Sequence, residues 1–217
     1  MLLMTHSAKG IFYFSPQEKK DLIISWLTLS LAFAVLFFQP KTPGVVITSF
    51  IVMLFVVGTG FVLHELAHRE AAKYYGFHSE YRAWYPGLVI ALILAISPLK
   101  LIFAAPGATY FFADKVSLKQ NGIISLAGPV TNLVLGIVLS LVVLQLGNNI
   151  FDQVLVSAIK INFFFALFNL LPISILDGSK IFTWNKSIWM ATFCTSLILA
   201  IFPGIVFPDI NFNNSFF

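Results

Sequence analysis

Charge is what this chain has least of. Asp, Glu, Lys and Arg make up 10% of its 217 residues, against about 25% in an ordinary globular protein. With 59% hydrophobic residues and a mean hydropathy of +0.91, the polar groups are too few to coat a water-facing surface. A soluble domain, a disordered chain, a collagen-like repeat and a coiled coil are all excluded by that balance. Cysteine is nearly absent too: Cys194 alone permits neither an intrachain disulfide framework nor a thiolate metal cluster. The 13 basic residues exceed the nine acidic ones by four, too sparse a surplus for a nucleic-acid partner. In a membrane protein such a surplus records topology. The composition predicts a polytopic membrane protein in contact with the lipid bilayer.

What is present is a series of long apolar runs. A spanning helix needs about 20 mostly apolar residues, and the runs at 22–38, 45–63, 122–146, 154–171 and 187–207 each predict one. Lys9, Lys19 and Lys20 precede the first run; Arg69, Lys73 and Arg82 follow the second; Lys115 and Lys119 precede the third; Lys180 and Lys186 separate the last two. The other side receives Lys41 and Lys160, the latter near enough to a helix start to snorkel. The positive-inside rule therefore predicts a multi-pass cell-membrane protein with a cytoplasmic N-terminus. Residues 81–113 fit this scheme poorly. Their two apolar runs, 88–96 and 99–105, are split by Ser97-Pro98 and flanked by basic residues on both sides. The segment is too short for two spans, so it reads as a re-entrant hairpin or membrane-dipping strands, with a short sixth helix as the alternative. The expected fold is thus an all-α polytopic membrane protein of five to six transmembrane helices with one re-entrant, β-like segment.

Most acidic residues fall in loops or at helix ends, but Glu65 and Asp177 abut long apolar runs. An ionisable group there is costly and points to function. Glu65 lies in His64-Glu65-Leu66-Ala67-His68, an H-E-x-x-H pattern that arises by chance in roughly one chain in a thousand of this His and Glu content. Positions i and i+4 share a helix face, so both imidazoles can hold one Zn²⁺ while Glu65 serves as the base for a water. Catalytic zinc sites use three protein ligands. The second and fourth spans run in the same direction, which brings Asp177 to the depth of the histidines; Asp114 and Glu80 remain as loop alternatives. His6 and His78 read as solvated, and Asp152 and Asp209 fall on the opposite side.

Asp177 closes the motif N-x-x-P-x-x-x-L-D-G (Asn169 to Gly178), downstream of H-E-x-x-H and of G-x-x-x-N (Gly128 to Asn132). Together with the β-like segment between the first two, this order resembles the site-2 protease family of intramembrane zinc metalloproteases, over roughly residues 45–182. The resemblance implies one membrane-embedded metalloprotease domain across 1–217, with a core at 45–182 and peripheral helices at 22–38 and 187–207 that could vary freely. It implies His64, His68 and Asp177 as ligands of one Zn²⁺ per chain, Glu65 as the general base, and Asn169 and Asn132 near the substrate backbone; Asn132 reads equally as a buried amide satisfied by a neighbouring helix. No soluble stretch is long enough for the PDZ domain that many bacterial members insert.

The implied activity is cleavage of transmembrane segments of membrane-protein substrates, from a site open to the cytoplasm. The extended stretch near 81–85 or 102–112 is expected either to hold a substrate by strand addition or only to seal the cavity. A prenyl-protein protease would need a glutamate ligand after Glu80, and the chain has none. A membrane zinc-binding transporter or a catalytically inactive scaffold is the alternative from a different class. Trp26, Trp84, Trp184 and Trp189 read as interfacial anchors. Neither the substrate's identity nor the oligomeric state is legible.

Overall fold

A computed structural model describes residues 13–38, 43–98, 106–112, 115–146 and 151–213. Helix α1 (Pro16–Phe38) begins six residues before the first apolar run. Its start is encoded locally: Pro16 has the fixed φ suited to a first helical position, and Ser15 Oγ accepts the Glu18 N–H at 3.1 Å. Next, α2 (Pro43–Val57), a π-helical turn (Gly58–Val62) and α3 (Leu63–Tyr74) form one helical run. Its early part is apolar, whereas α3 is amphipathic and buries His64, His68, Arg69 and Ala72. Gly76 stops it at φ +79°, a left-handed conformation that glycine adopts freely. The Gly76 and Phe77 N–H groups then close back on the Lys73 and Ala72 carbonyls at 2.8 and 3.1 Å, satisfying the orphan acceptors of the last turn.

The segment left open between a re-entrant hairpin and a sixth helix contains strands and a helix together. Strand β1 (His78–Ala83), helix α4 (Tyr85–Ile96) and strand β2 (Gly107–Phe112) succeed one another. The strands pair antiparallel, with Tyr81 opposite Thr109 and Glu80 opposite Tyr110. At 12 residues, α4 rises about 18 Å, too short to cross a hydrocarbon core of about 30 Å. It ends just before Ser97-Pro98, where the proline disfavours further helix. The expected run 99–105 lies outside the described residues.

Helix α5 (Leu118–Leu146) is the centre of the molecule and packs on α3, α6 (Asp152–Asn169) and α7 (Asp177–Trp184). Gly128, Asn132, Gly136 and Ser140 recur at four-residue spacing and are buried, so a stripe of small and polar residues runs down one face. Neighbours fill the space beside the α5 glycines: a Cβ at Gly122 would meet the Trp184 ring at 2.5 Å, and one at Gly136 would overlap Phe163. Helices α8 (Lys186–Ile201) and α9 (Pro203–Val206) complete the chain.

Among the described residues, three helices are long and apolar enough to span a membrane: Pro16–Phe37, Gly44–Tyr74 and Leu118–Leu146. The fourth and fifth expected spans, α6 and α8, have 18 and 16 residues. Two of the four tryptophans read as interfacial anchors are internal struts. Trp26 Nε1 donates to the Leu54 carbonyl at 2.8 Å, and Trp189, 9% exposed, donates to the Leu170 carbonyl at 2.8 Å.

The first helix, expected at the periphery, is tied to the core by charge. Glu18 and Arg69 are 0% and 1% exposed, with Glu18 Oε1 2.7 Å from Arg69 Nε. The same carboxylate oxygen accepts the Tyr81 N–H at 3.2 Å, while Arg69 also bonds Glu70 and the Tyr13 carbonyl and lies 3.9 Å from the Phe14 ring centre. Ser79 Oγ adds a bond to the Arg69 carbonyl at 2.9 Å. The Glu18–Arg69 pair thus joins α1, α3 and β1. Removing a single partner of a buried pair strands the other charge, so Glu18→Ala is expected to lose about 3–5 kcal/mol of stability. The double change Glu18→Leu with Arg69→Met is expected to lose far less, as measured by denaturant unfolding in detergent.

Candidate metal centre

The H-E-x-x-H turn opens α3, and its two histidines point into α5. His64 and His68 are 4% and 7% exposed, with Nε2 atoms 3.0 Å apart. Asp177 reaches them from the first turn of α7: its Oδ2 lies 3.4 Å from His64 Nε2 and 3.0 Å from His68 Nε2. Three candidate ligand atoms therefore lie within 4.8 Å of one another, all on buried residues. Of the acidic alternatives, Glu80 pairs instead with Arg82 and His78 on β1. Asp114 and His6 lie outside the described residues.

The hydrogen bonds behind the histidines determine which nitrogen faces inward. Asn162 Nδ2 donates to the Ala158 carbonyl at 2.8 Å, which leaves its Oδ1 to accept from Asn132 Nδ2 at 2.9 Å. The same Asn132 nitrogen donates to the Gly60 carbonyl at 2.8 Å, inside the π-helical turn. Both Asn132 protons are thereby committed, so its Oδ1 is the atom 2.6 Å from His64 Nδ1 and that nitrogen carries the proton. His68 Nδ1 likewise has only an acceptor in front of it, the Ile124 carbonyl at 2.7 Å. Both Nε2 lone pairs then point at one another and at a carboxylate.

Lone pairs so arranged repel unless a cation lies between them, and this donor set fits one. Tetrahedral nitrogen and oxygen ligands at about 2.0–2.1 Å from a zinc ion are separated by about 3.3–3.4 Å, close to the spacing seen here. Space for an ion is provided by glycine. A Cβ on Gly128 would lie 2.5 Å from His68 Nε2 and 2.6 Å from His64 Nε2. Gly178 serves the third ligand in a different way: a Cβ there would collide with the Leu170 and Leu171 carbonyls, so only glycine lets α7 start against the end of α6. Lys180 Nζ, 3.4 Å from Asp177 Oδ1, steadies the carboxylate oxygen turned away from the histidines.

Glu65 lies on the other flank of the same turn, half-buried, where Thr109 Oγ1 donates to its Oε2 at 2.9 Å. The two asparagines go to different places. Asn132 is 0% exposed and bound to His64, Gly60 and Asn162, so its amide orients a ligand. Asn169 is half-buried at the end of α6, its Nδ2 donating to the Phe165 carbonyl at 3.0 Å. Two residues of the site went unread in the sequence, Asn162 and Thr109. Asn162 had a signal: an amide within the apolar run Ile161-Asn162-Phe163 carries a desolvation cost unless it is hydrogen-bonded. Thr109 had none. Removing the amide by Asn132→Leu is expected to weaken metal binding about 10- to 100-fold. Gly128→Ala, which puts a methyl group where the lone pairs meet, is expected to abolish it. Chelator competition on the purified protein measures both.

Comparison with known proteins adds a relative and no template. No family model matches the chain, and no solved structure does. A protein of Methanocaldococcus jannaschii, provisionally named a zinc metalloprotease, is 41% identical over 181 residues, covering 83% of this chain and 91% of its own length. At that identity and coverage, the chain belongs to the same zinc metalloprotease family as the archaeal protein.

Proposed function

We propose that this protein is an intramembrane zinc endopeptidase of the site-2 protease type, cleaving transmembrane segments of membrane-protein substrates. One observation carries the reading: His64 Nε2 and His68 Nε2, on a helix apolar and long enough to span a bilayer, converge with Asp177 Oδ2 of α7 at 3.0–3.4 Å, and Glu65 lies on the same turn as the two histidines. The zinc metalloprotease name of the archaeal relative supports the same chemistry.

In this reading His64, His68 and Asp177 hold one Zn²⁺ per chain. Zinc, when bound, acidifies a water and polarises a carbonyl. The remaining work belongs to the protein. Glu65 takes the proton from the attacking water and returns it to the amine as the peptide bond breaks. Asn132 and the Ile124 carbonyl keep both imidazoles in the tautomer that presents Nε2. A helical substrate hides its amides, so it unwinds locally before cleavage, and the edge of β2 that has no strand partner among the described residues offers an extended partner. Five spans, with the hairpin dipping into the membrane, a cytoplasmic N-terminus and a site open to the cytoplasm, complete the proposal; the distribution of Lys and Arg supports that orientation.

Glu65→Gln is expected to retain zinc while losing at least about 100-fold in cleavage of a membrane-spanning test substrate; unchanged cleavage overturns the assignment. Asp177→Ala is expected to lose the zinc itself, measured as metal content of the purified protein beside wild type.

A further inference from the structure

The strand pair presents one polar side chain to the reacting side of the site. Tyr81 and Thr109 stand directly opposite in the β1–β2 register and therefore share a face, the one turned toward the helices. Tyr81 is buried there, its hydroxyl donating to Ser25 Oγ at 2.9 Å and its ring 5.7 Å from Phe61. The packing of Tyr81 sets the height of β2 above α3. Gly107 lets β2 start close in, because a Cβ there would overlap the Arg82 carbonyl and the Tyr81 ring. Two residues along, Thr109 Oγ1 comes within 2.9 Å of Glu65 Oε2 and 3.2 Å of the Glu65 carbonyl oxygen.

A hydroxyl at hydrogen-bond distance from both the carboxylate and the backbone of the same residue limits the arrangements open to that side chain. Glutamate has three rotatable side-chain bonds, and freezing it unaided carries an entropy cost. A charged acceptor makes the bond to the carboxylate the stronger of the two.

From this geometry we infer that Thr109 is a positioning residue for the Glu65 carboxylate. Strand β2 thereby fastens the proton acceptor to an element whose other edge has no strand partner among the described residues. The inference deepens the endopeptidase reading and rests on Glu65 acting as its base. Thr109 itself transfers no proton and touches none of the three candidate ligands.

The test uses the full chain, zinc-loaded in detergent, with the membrane-spanning test substrate. Thr109→Val preserves shape and removes the hydroxyl. It is expected to keep its zinc and to leave KM within about 2-fold, while kcat falls about 10- to 100-fold, the range for losing a hydrogen bond to a charged group. Thr109→Ser is expected to restore most of that loss. A kcat for Thr109→Val within about 2-fold of wild type overturns the inference, as does a Thr109→Ser variant impaired as severely as Thr109→Val, which would make the methyl group the contributor. Should Thr109→Val fail to fold, Thr109→Ala removes the same hydroxyl, and a cycle with Glu65→Asp, whose shorter arm cannot reach Thr109, decides the matter. Thr109→Ala added to Glu65→Asp is expected to cost nothing further; full additivity of the two losses overturns the coupling. Glu65→Gln measured alongside separates the two levels: if it cleaves normally, the base assignment falls and Thr109 with it, whereas its inactivity beside a normal Thr109→Val refutes Thr109 alone.

Discussion

Two imidazole nitrogens 3.0 Å apart, beside a carboxylate oxygen at 3.0 and 3.4 Å, form an arrangement that a bound cation would stabilise. Much of the surrounding architecture serves to hold that unfavourable geometry in place. The amide chain from Ala158 through Asn162 and Asn132 to His64 leaves the imidazole no alternative tautomer. Because this chain is buried, every donor in it has to find an acceptor, and turning one amide over would leave two groups unpaired. The π-helical turn belongs to the same device, since the carbonyl it presents at Gly60 takes one of the Asn132 protons. Such turns are frequent at functional sites.

The helix bearing H-E-x-x-H is held from two sides, and the sides divide the work. On one side, α5 and α7 supply the groups that orient the ligands, with Gly128 and Gly178 removing the side chains that would stand in the way. On the other, α1 and the strand pair hold the residues between and after the histidines. Arg69, next to His68, is locked by Glu18, and Glu65 is met by Thr109. The candidate ligands and Glu65 thus rest on different packing, although the residues involved are neighbours in sequence. An H-E-x-x-H helix pressed against only one of these layers would have its histidines or its glutamate held, but not both.

Much of the site could be read from residues alone because scarcity makes polar groups conspicuous. In a chain with 10% charged residues, Glu65 and Asp177 against apolar runs needed an explanation, and a four-residue histidine spacing supplied one. The same reasoning extends to Asn132 and Asn162, since an amide in an apolar helix also needs a partner. It did not reach α1. Glu18 lies near a predicted helix start among Lys19, Lys20 and Asp21, where a carboxylate needs no explanation, yet it is 0% exposed. The tryptophans misled for a related reason. A ring near a predicted boundary suits an interface, but Trp26 and Trp189 are turned inward to cap the Leu54 and Leu170 carbonyls.

By itself the sequence determined the class of molecule, the histidine face of one helix and the need for a third ligand, because these follow from local periodicity and from the cost of charge in an apolar medium. Only the tertiary structure decided which atoms meet. The tautomer of His64 depends on an amide 68 residues away, the clearance for an ion on a glycine of another helix, and the aim of Glu65 on a hydroxyl 44 residues distant. Short-range pattern encodes none of these, since each is a bond between elements whose separation along the chain says nothing of their distance in space.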